Sequence, residues 1–416
     1  MYRDFLGRYA SREAQTTGVD LNMKAVTFSS IGCVIHTTVP LPRLEANSCD
    51  AIVRVTSAGL CGSDLHPYFG KEPVDKDTVF GHEMVGIVTE VADPKDTHLI
   101  GKRVLSPFST SCGEQTCIQC SRGLSARCPK GQLLGHRIHG KGLHGCQAEF
   151  VRVPLANGTL VPIPEDISDE EGLLIGDIFS TAVFCATNGG LASSSLQSSP
   201  LGTAAQTLAG GSTATTHPPP VVVVIGCGPV GLCTVAASIE LLMTHFTGNS
   251  SSEKLLFSTP RVFAIDSISG RLEAAQRLGA TSLESSAALD RILKETDGQG
   301  ADVVLECVGA PSALEMAFKL LRSGGVISSV GVHTANSWPF TLGQAYDKNL
   351  TFRSGRCPAR SLVPYSIELL KKIRLRGKDV VSEIVSHRLP LESAPDAYKR
   401  FAEREDGYRK VVFKLN

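Results

Sequence analysis

The sequence predicts an α/β chain, with an antiparallel, barrel-like β domain followed by a doubly wound parallel sheet. Three observations lead there. From Met23 to about Pro164, short segments such as KAVTF, AIVRVTSAG, EMVGIVTEVA and AEFVRVP mix β-branched residues with turn residues, as short strands under long loops do. From Val221 onward, strands alternate with helices, the pattern of a parallel sheet joined by crossovers. The chain is 416 residues long, enough for two or three domains around a large core.

In the second half, VVVVI (221–225) is short and wholly apolar, as a strand buried on both faces must be. VGLCTVAASIELLM follows as a helix, RVFAID as a strand, and SGRLEAAQRLGA as a helix stopped at Gly279. ADVVLECVG and GGVISSVGV are further strands on either side of the helical PSALEMAFKLLRS. From about Leu350 come one strong helix, VPYSIELLKKIRLRG, and a last strand, YRKVVFKLN. Gly226, Gly228 and Gly231 stand between the first strand and its helix, spaced G-x-G-x-x-G. In that setting they form a dinucleotide site. Gly226 permits the tight turn, Gly228 admits a pyrophosphate, Gly231 lets the helix close on the strand, and the helix N-terminus presents its free N–H groups to the phosphates. Asp266 ends RVFAID, 35 residues past Gly231, with 247–260 read as an inserted loop between them. Its carboxylate would bind a ribose 2′-OH and repel a 2′-phosphate, and no arginine immediately follows it, so NAD is expected over NADP. The plainer alternatives are a glycine-rich turn of another α/β fold and an aspartate that simply ends a strand.

The first half holds the metal chemistry. LCGSDLHPYFG (60–70) crowds Cys61, Ser63, Asp64 and His66 together, and FGHEMVGIV supplies His82 beside Glu83 just before a strand. Cys61 and His82 offer two of the three protein ligands that a catalytic zinc needs. Alone, His82 would read as a turn histidine and Glu83 as a solvated carboxylate. FSTSCGEQTCIQCSRGLSARCPK spaces Cys112, Cys117, Cys120 and Cys128 as C-x4-C-x2-C-x7-C. Four thiolates so close suit a closed tetrahedral zinc site, and thiolate selects zinc over magnesium or calcium. Core thiols, a redox switch and a nucleic-acid zinc ribbon are the competing readings.

Composition excludes several classes. Lys plus Arg and Asp plus Glu both number 41, so no net field recruits nucleic acid or an anionic membrane. No apolar run approaches the roughly 20 residues that span a bilayer. The N-terminal extension (1–22) carries Asp4, Glu13 and Asp20 among its arginines, which argues against a targeting presequence, and the cytoplasm is the expected compartment. Thirteen cysteines without a signal peptide point to reduced thiols and metal ligands rather than disulfides. Residues 191–220, rich in Ser, Thr, Ala, Gly and Pro, read as a flexible insertion.

CGSDLH, GHEMVG, the four-cysteine lobe and VIGCGPVG occur in the order found in zinc-dependent medium-chain alcohol dehydrogenases, and the chain resembles that family from Met23 to Asn416. The resemblance implies a GroES-like antiparallel β-barrel catalytic domain (23–178, zinc lobe at 112–128) and a Rossmann cofactor domain (179–349). A C-terminal part (350–416) would return to the catalytic domain. It also implies two zinc ions per chain, NAD, an alcohol or aldehyde-hydrate substrate, and a homo-dimer or homo-tetramer. Cys61, His82 and Asp177 look like the catalytic zinc ligands, and Glu83 like a carboxylate that tunes or transiently joins the metal. Ser63 and His66 look like the two ends of a proton path through the cofactor ribose, and Thr181 like a support for the nicotinamide ring. Many members carry Cys where this chain has Asp177. The aspartate, in GDIFSTAVF, together with GCQAEFVRVPLANGTLVPIPED, is similar to the formaldehyde-dehydrogenase-like subgroup. Cys185 is the competing third ligand, and capping of the following helix is the competing role for Asp177.

Two features depart from the family pattern. Gly62 stands where some members place a basic residue against the pyrophosphate, a contact that Arg356 or Arg409 could supply. The x4 spacing after Cys112 is two residues longer than usual, and the extra residues are expected to bulge outward. Asp64 has no chemistry beyond a turn or strand end. The alternatives in function are a polyol (sorbitol-like) dehydrogenase sharing the same site, and an inactive regulatory protein that binds NAD and zinc.

Overall fold

The computed structural model describes residues 21–192, 220–246, 260–334, 337–405 and 407–415. The expected insertions at 191–220 and 247–260 and the N-terminal extension fall almost entirely outside these ranges.

The N-terminal half is antiparallel β structure. Strands β1 (Asn22–Ser30) and β2 (Cys33–Pro40) form a hairpin. Strands β3 (Ala51–Leu60), β4 (Met84–Val91) and β5 (Arg103–Ser106) form the centre of a larger sheet. A small hairpin of β6 (His136–Ile138) and β7 (Lys141–Leu143) precedes β8 (Phe150–Val153) and β9 (Val161–Pro162). In the larger sheet β3 pairs with both β4 and β8, and β5 with β9.

Two helices then lead out of this domain. Helix α1 (Asp169–Gly176) opens on a capping box in which Ser168 and Glu171 bond each other's backbone N–H groups. Helix α2 (Ile178–Asn188) begins after a backbone break at Asp177, where φ is −140° and ψ −83°. That break turns the Asp177 side chain out of the helical path.

The second half is a six-stranded parallel sheet in the order β12-β11-β10-β13-β14-β15. Its strands are β10 (Val221–Ile225), β11 (Arg261–Asp266), β12 (Thr281–Glu284), β13 (Ala301–Glu306), β14 (Leu321–Ser329) and β15 (Thr351–Ser354). Alternation along β10 explains its wholly apolar sequence. Val222 and Val224 face the core under α2 and α3 (Pro229–Phe246), while Val221, Val223 and Ile225 face the opposite core. The strand order reverses between β10 and β13, the switch point where open α/β sheets bind ligands.

The sheet corrects the expected domain boundary, because β15 is its sixth strand and lies beyond residue 349. At four residues, TFRS is too short to stand out as a strand. The chain then forms α4 (Ala359–Leu375) and returns to the first domain. Strands β16 (His387–Pro390) and β17 (Val411–Lys414) extend the antiparallel sheet, with β17 lying between β16 and β3.

Candidate active site

The end of β3 and the loop after it set the first ligands. Cys61 follows the strand directly, and its backbone N–H donates to Asp64 Oδ2 at 2.9 Å. Asp64 Oδ1 lies 3.0 Å from His82 Nδ1, so it accepts a hydrogen bond from the Nδ1–H and leaves the Nε2 lone pair turned inward. His82 Nε2 stands 3.3 Å from Asp177 Oδ2, which is 3.7 Å from Cys61 Sγ. Ligand atoms bonded to zinc at about 2.0–2.3 Å in a tetrahedron sit about 3.3–3.8 Å apart, so these three fit the metal.

Asp177 occupies the N-cap position of α2 but makes no capping hydrogen bond there. Its other oxygen, Oδ1, accepts the Thr181 hydroxyl at 3.3 Å. Cys185 leaves the contest for third ligand. It is fully buried, and its thiol points to the Ser328 carbonyl at 3.6 Å.

Charge around the site also calls for a cation. Cys61, Asp64, Glu83 and Asp177 gather against one buried lysine, Lys410, which is ion-paired with Glu83. Burial pushes the Cys61 thiol up, and the Glu83 carboxylate adds to it. Burial opposes the His82 imidazolium, but the Asp64 and Asp177 carboxylates outweigh it and raise the ring's pKa. The same imidazole holds Asp177 down against its burial. Glu83 Oε1 is buried with no hydrogen-bond partner among the described residues, and the carboxylate lies where a Cβ on Gly59 would sit. A divalent cation is the species this donor set would hold.

Ser63 Oγ lies 3.3 Å from both Cys61 Sγ and His82 Nε2, and His66 Nδ1 lies 3.4 Å from Glu72 Oε1. All of these groups line one cleft of about 570 Å³, which also reaches Gly228, Pro229 and Val230 of the glycine turn. There the glycines do as their spacing implies. Gly226 has φ +87°, a Cβ on Gly231 would overlap the Gly226 carbonyl, and a Cβ on Gly228 would meet open space. Asp266 is buried at the end of β11, accepting the Cys227 N–H on Oδ2 and the Ser267 and Ile268 N–H groups on Oδ1. Arg271, five residues further along the chain, lies 3.7 Å from it. Gly62 and Arg356 line the cleft, whereas Arg409 does not.

The four-cysteine lobe also closes. Cys112, Cys117, Cys120 and Cys128 each bring a sulfur within 4.8 Å of the others. Cys112 Sγ is 3.7 Å from Cys120 Sγ and 3.6 Å from Cys128 Sγ. The Cys120 backbone N–H brings the Cys117 thiol down to about 7, which favours the thiolate a metal needs. The extra residues after Cys112 are exposed and bulge outward as expected, with Glu114 tied to Lys130 at 2.7 Å.

Comparison with known proteins decides the family. The profile of the alcohol dehydrogenase GroES-like domain matches residues 47–165, and that of zinc-binding dehydrogenases matches residues 256–372. The chain is 37% identical over 407 residues to zinc-type alcohol dehydrogenase B of Aspergillus flavus, covering 97% of this chain and 84% of the relative. The chain belongs to the zinc-type medium-chain alcohol dehydrogenase family. Among solved structures, alcohol dehydrogenase TADH from Thermus sp. ATN1 matches with a TM-score of 0.76 and 35% identity, over 95% of this chain and all of that one. Sorbitol dehydrogenase of Bacillus subtilis is 28% identical over 404 residues, covering 95% of this chain and 98% of the relative. The chain is therefore a zinc-type alcohol dehydrogenase-like oxidoreductase with a GroES-like domain and a Rossmann-like parallel sheet.

Two residues of the site were given no part in its chemistry by the sequence. Asp64 was expected only to shape a turn, and it instead holds both Cys61 and His82. Its one sequence signal is its place three residues after Cys61. Lys410 reaches Glu83 from 327 residues away, and no local pattern marks it.

Proposed function

We propose that this dehydrogenase oxidises an alcohol or aldehyde hydrate with NAD as hydride acceptor, using one catalytic and one structural zinc per chain. The observation that supports this best is the meeting of Cys61, His82 and Asp177 in the cleft that the Gly226–Gly231 turn also lines. When bound, zinc supplies Lewis acidity to the alcohol oxygen, and the nicotinamide ring takes up hydride. The protein's own part is to position groups and move a proton. Asp64 fixes the His82 tautomer, and Lys410 offsets the charge of Glu83 behind the ligands. Ser63 receives the substrate proton beside Cys61, and His66, held by Glu72, releases it to water. The buried Asp266 carboxylate favours NAD over NADP, and an aspartate as third ligand favours the formaldehyde-dehydrogenase-like branch.

The edge of the parallel sheet fits a homo-oligomer. Trp338, Leu342 and Tyr346 are 59%, 90% and 83% exposed, and Trp338 packs edge-on against Phe352 of the outermost strand β15. The deciding experiment is NADH formation over formaldehyde, primary alcohols, secondary alcohols and polyols, with and without a zinc chelator. Turnover that survives complete metal removal would overturn the proposal. The relationship to sorbitol dehydrogenase and the presence of His136, His333 and Arg356 in the cleft favour polyols as a second reading.

A further inference from the structure

Glu306 ends β13 with no exposed side-chain surface. Its Oε1 accepts the N–H groups of Val308 and Gly309, each at 2.7 Å, and its Oε2 accepts the Ser329 hydroxyl at 2.6 Å. A hydroxyl has one proton to give. Having given it to Glu306, Ser329 can only accept from His333 Nε2, which lies 2.7 Å away. A proton is therefore fixed on Nε2, and in that tautomer Nδ1 is a hydrogen-bond acceptor. No described residue donates to that nitrogen.

His333 is 30% exposed and lines the same cleft as Cys61 and His82. His136 and Arg356 line it too, and neither side chain has a hydrogen-bond or ion-pair partner among the described residues. A monohydric alkyl alcohol would strip water from these groups and return nothing, whereas a hydroxylated one would replace the lost bonds. We infer that His333 determines specificity, its Nδ1 accepting a hydrogen bond from a second substrate hydroxyl, so that diols and polyols are the preferred substrate class. This deepens the dehydrogenase reading and rests on it. Ser329 and Glu306 act through His333 as positioning residues.

The test compares kcat/KM for propylene glycol and glycerol with that for propanol, in the wild type and in H333L, H333N and S329A. One buried hydrogen bond predicts a diol preference of roughly threefold to tenfold in the wild type. The ratio falls to about one in H333L. It falls partway in S329A, where the ring loses the acceptor that fixes its tautomer, and H333N, which keeps an acceptor, retains part of it. NADH affinity, read from the cofactor's fluorescence, stays within about twofold in all variants. About tenfold weaker NADH binding with an unchanged diol-to-propanol ratio would assign His333 to the cofactor carboxamide and overturn the inference. A wild-type ratio that H333L leaves unaltered would overturn it as well. If no alcohol is oxidised, the dehydrogenase reading fails separately. Titration of glycerol into the protein–NADH complex then still decides on His333, since equal fluorescence responses in the wild type and H333L count against it.

Discussion

Replacing Lys410 by Met keeps most of the side chain's length and removes its charge. Lys410 and Glu83 are 1% and 0% exposed, and Lys410 is the ion-pair partner of Glu83 Oε2. The other oxygen, Oε1, already lacks a hydrogen bond among the described residues. The substitution therefore strips a buried carboxylate of the lysine that is its only ion-pair partner among the described residues. Breaking a buried pair from one side costs about 3–5 kcal/mol. For a domain of this size each kcal/mol moves Tm by about 2–4 °C, so K410M should melt roughly 6–20 °C below the wild type. Scanning calorimetry at neutral pH with zinc present measures it. The double variant E83Q/K410M removes both charges and should recover more than half of the loss. A K410M Tm within about 2 °C of the wild type would refute the reasoning. So would a double variant no more stable than the single.

Further outcomes follow from the same geometry. Asp64→Asn weakens the grip on His82 Nδ1 and should lower zinc affinity roughly tenfold to a hundredfold, read by competition with a chromophoric chelator; unchanged affinity would remove Asp64 from the site. Asp177→Ala should lower bound zinc by one ion per chain relative to the wild type by elemental analysis, whereas Cys185→Ser should leave it unchanged. His144 accepts the Val79 N–H on Nδ1, and burial, with the Arg137 guanidinium beside it, lowers its pKa to about 4. Its stabilising contribution is full above the unfolded value near 6.5 and is lost as pH falls from there toward 4. The ring edge is open to water, so screening leaves about 1 kcal/mol. His144→Gln should therefore lose about 2–4 °C less in Tm than the wild type between pH 7.5 and 4.5, and coincident profiles would count against this.

What could be read from the sequence was whatever is coded locally. The glycine turn and the four-cysteine lobe each lie within a short stretch whose spacing dictates its geometry, with Gly226 at φ +87° and the four sulfurs within 4.8 Å of one another. Cys61, His82 and Asp177 lie far apart in the chain. Family resemblance, not spacing, brought them together beforehand. Asp64 was hidden because its role depends on where His82 falls in space, and Lys410 because the antiparallel pairing of β17 with β3 is what delivers it. The Ser329–His333 chain was equally silent, since it depends on the register between β13 and β14. Strand β15 was missed because its pattern spans only four residues.

The position of β17 between β16 and β3 has a consequence for synthesis. Cys61, His82 and Glu83 leave the ribosome early, but the lysine that neutralises Glu83 emerges 327 residues later. At ordinary translation rates that is a delay of roughly 15–65 s. Through that interval the nascent thiol, imidazole and carboxylate have neither their counter-charge nor the strand that covers them. Closure of the Glu83–Lys410 pair therefore waits on the pairing of β17 with β3, a contact between segments more than 300 residues apart in the chain.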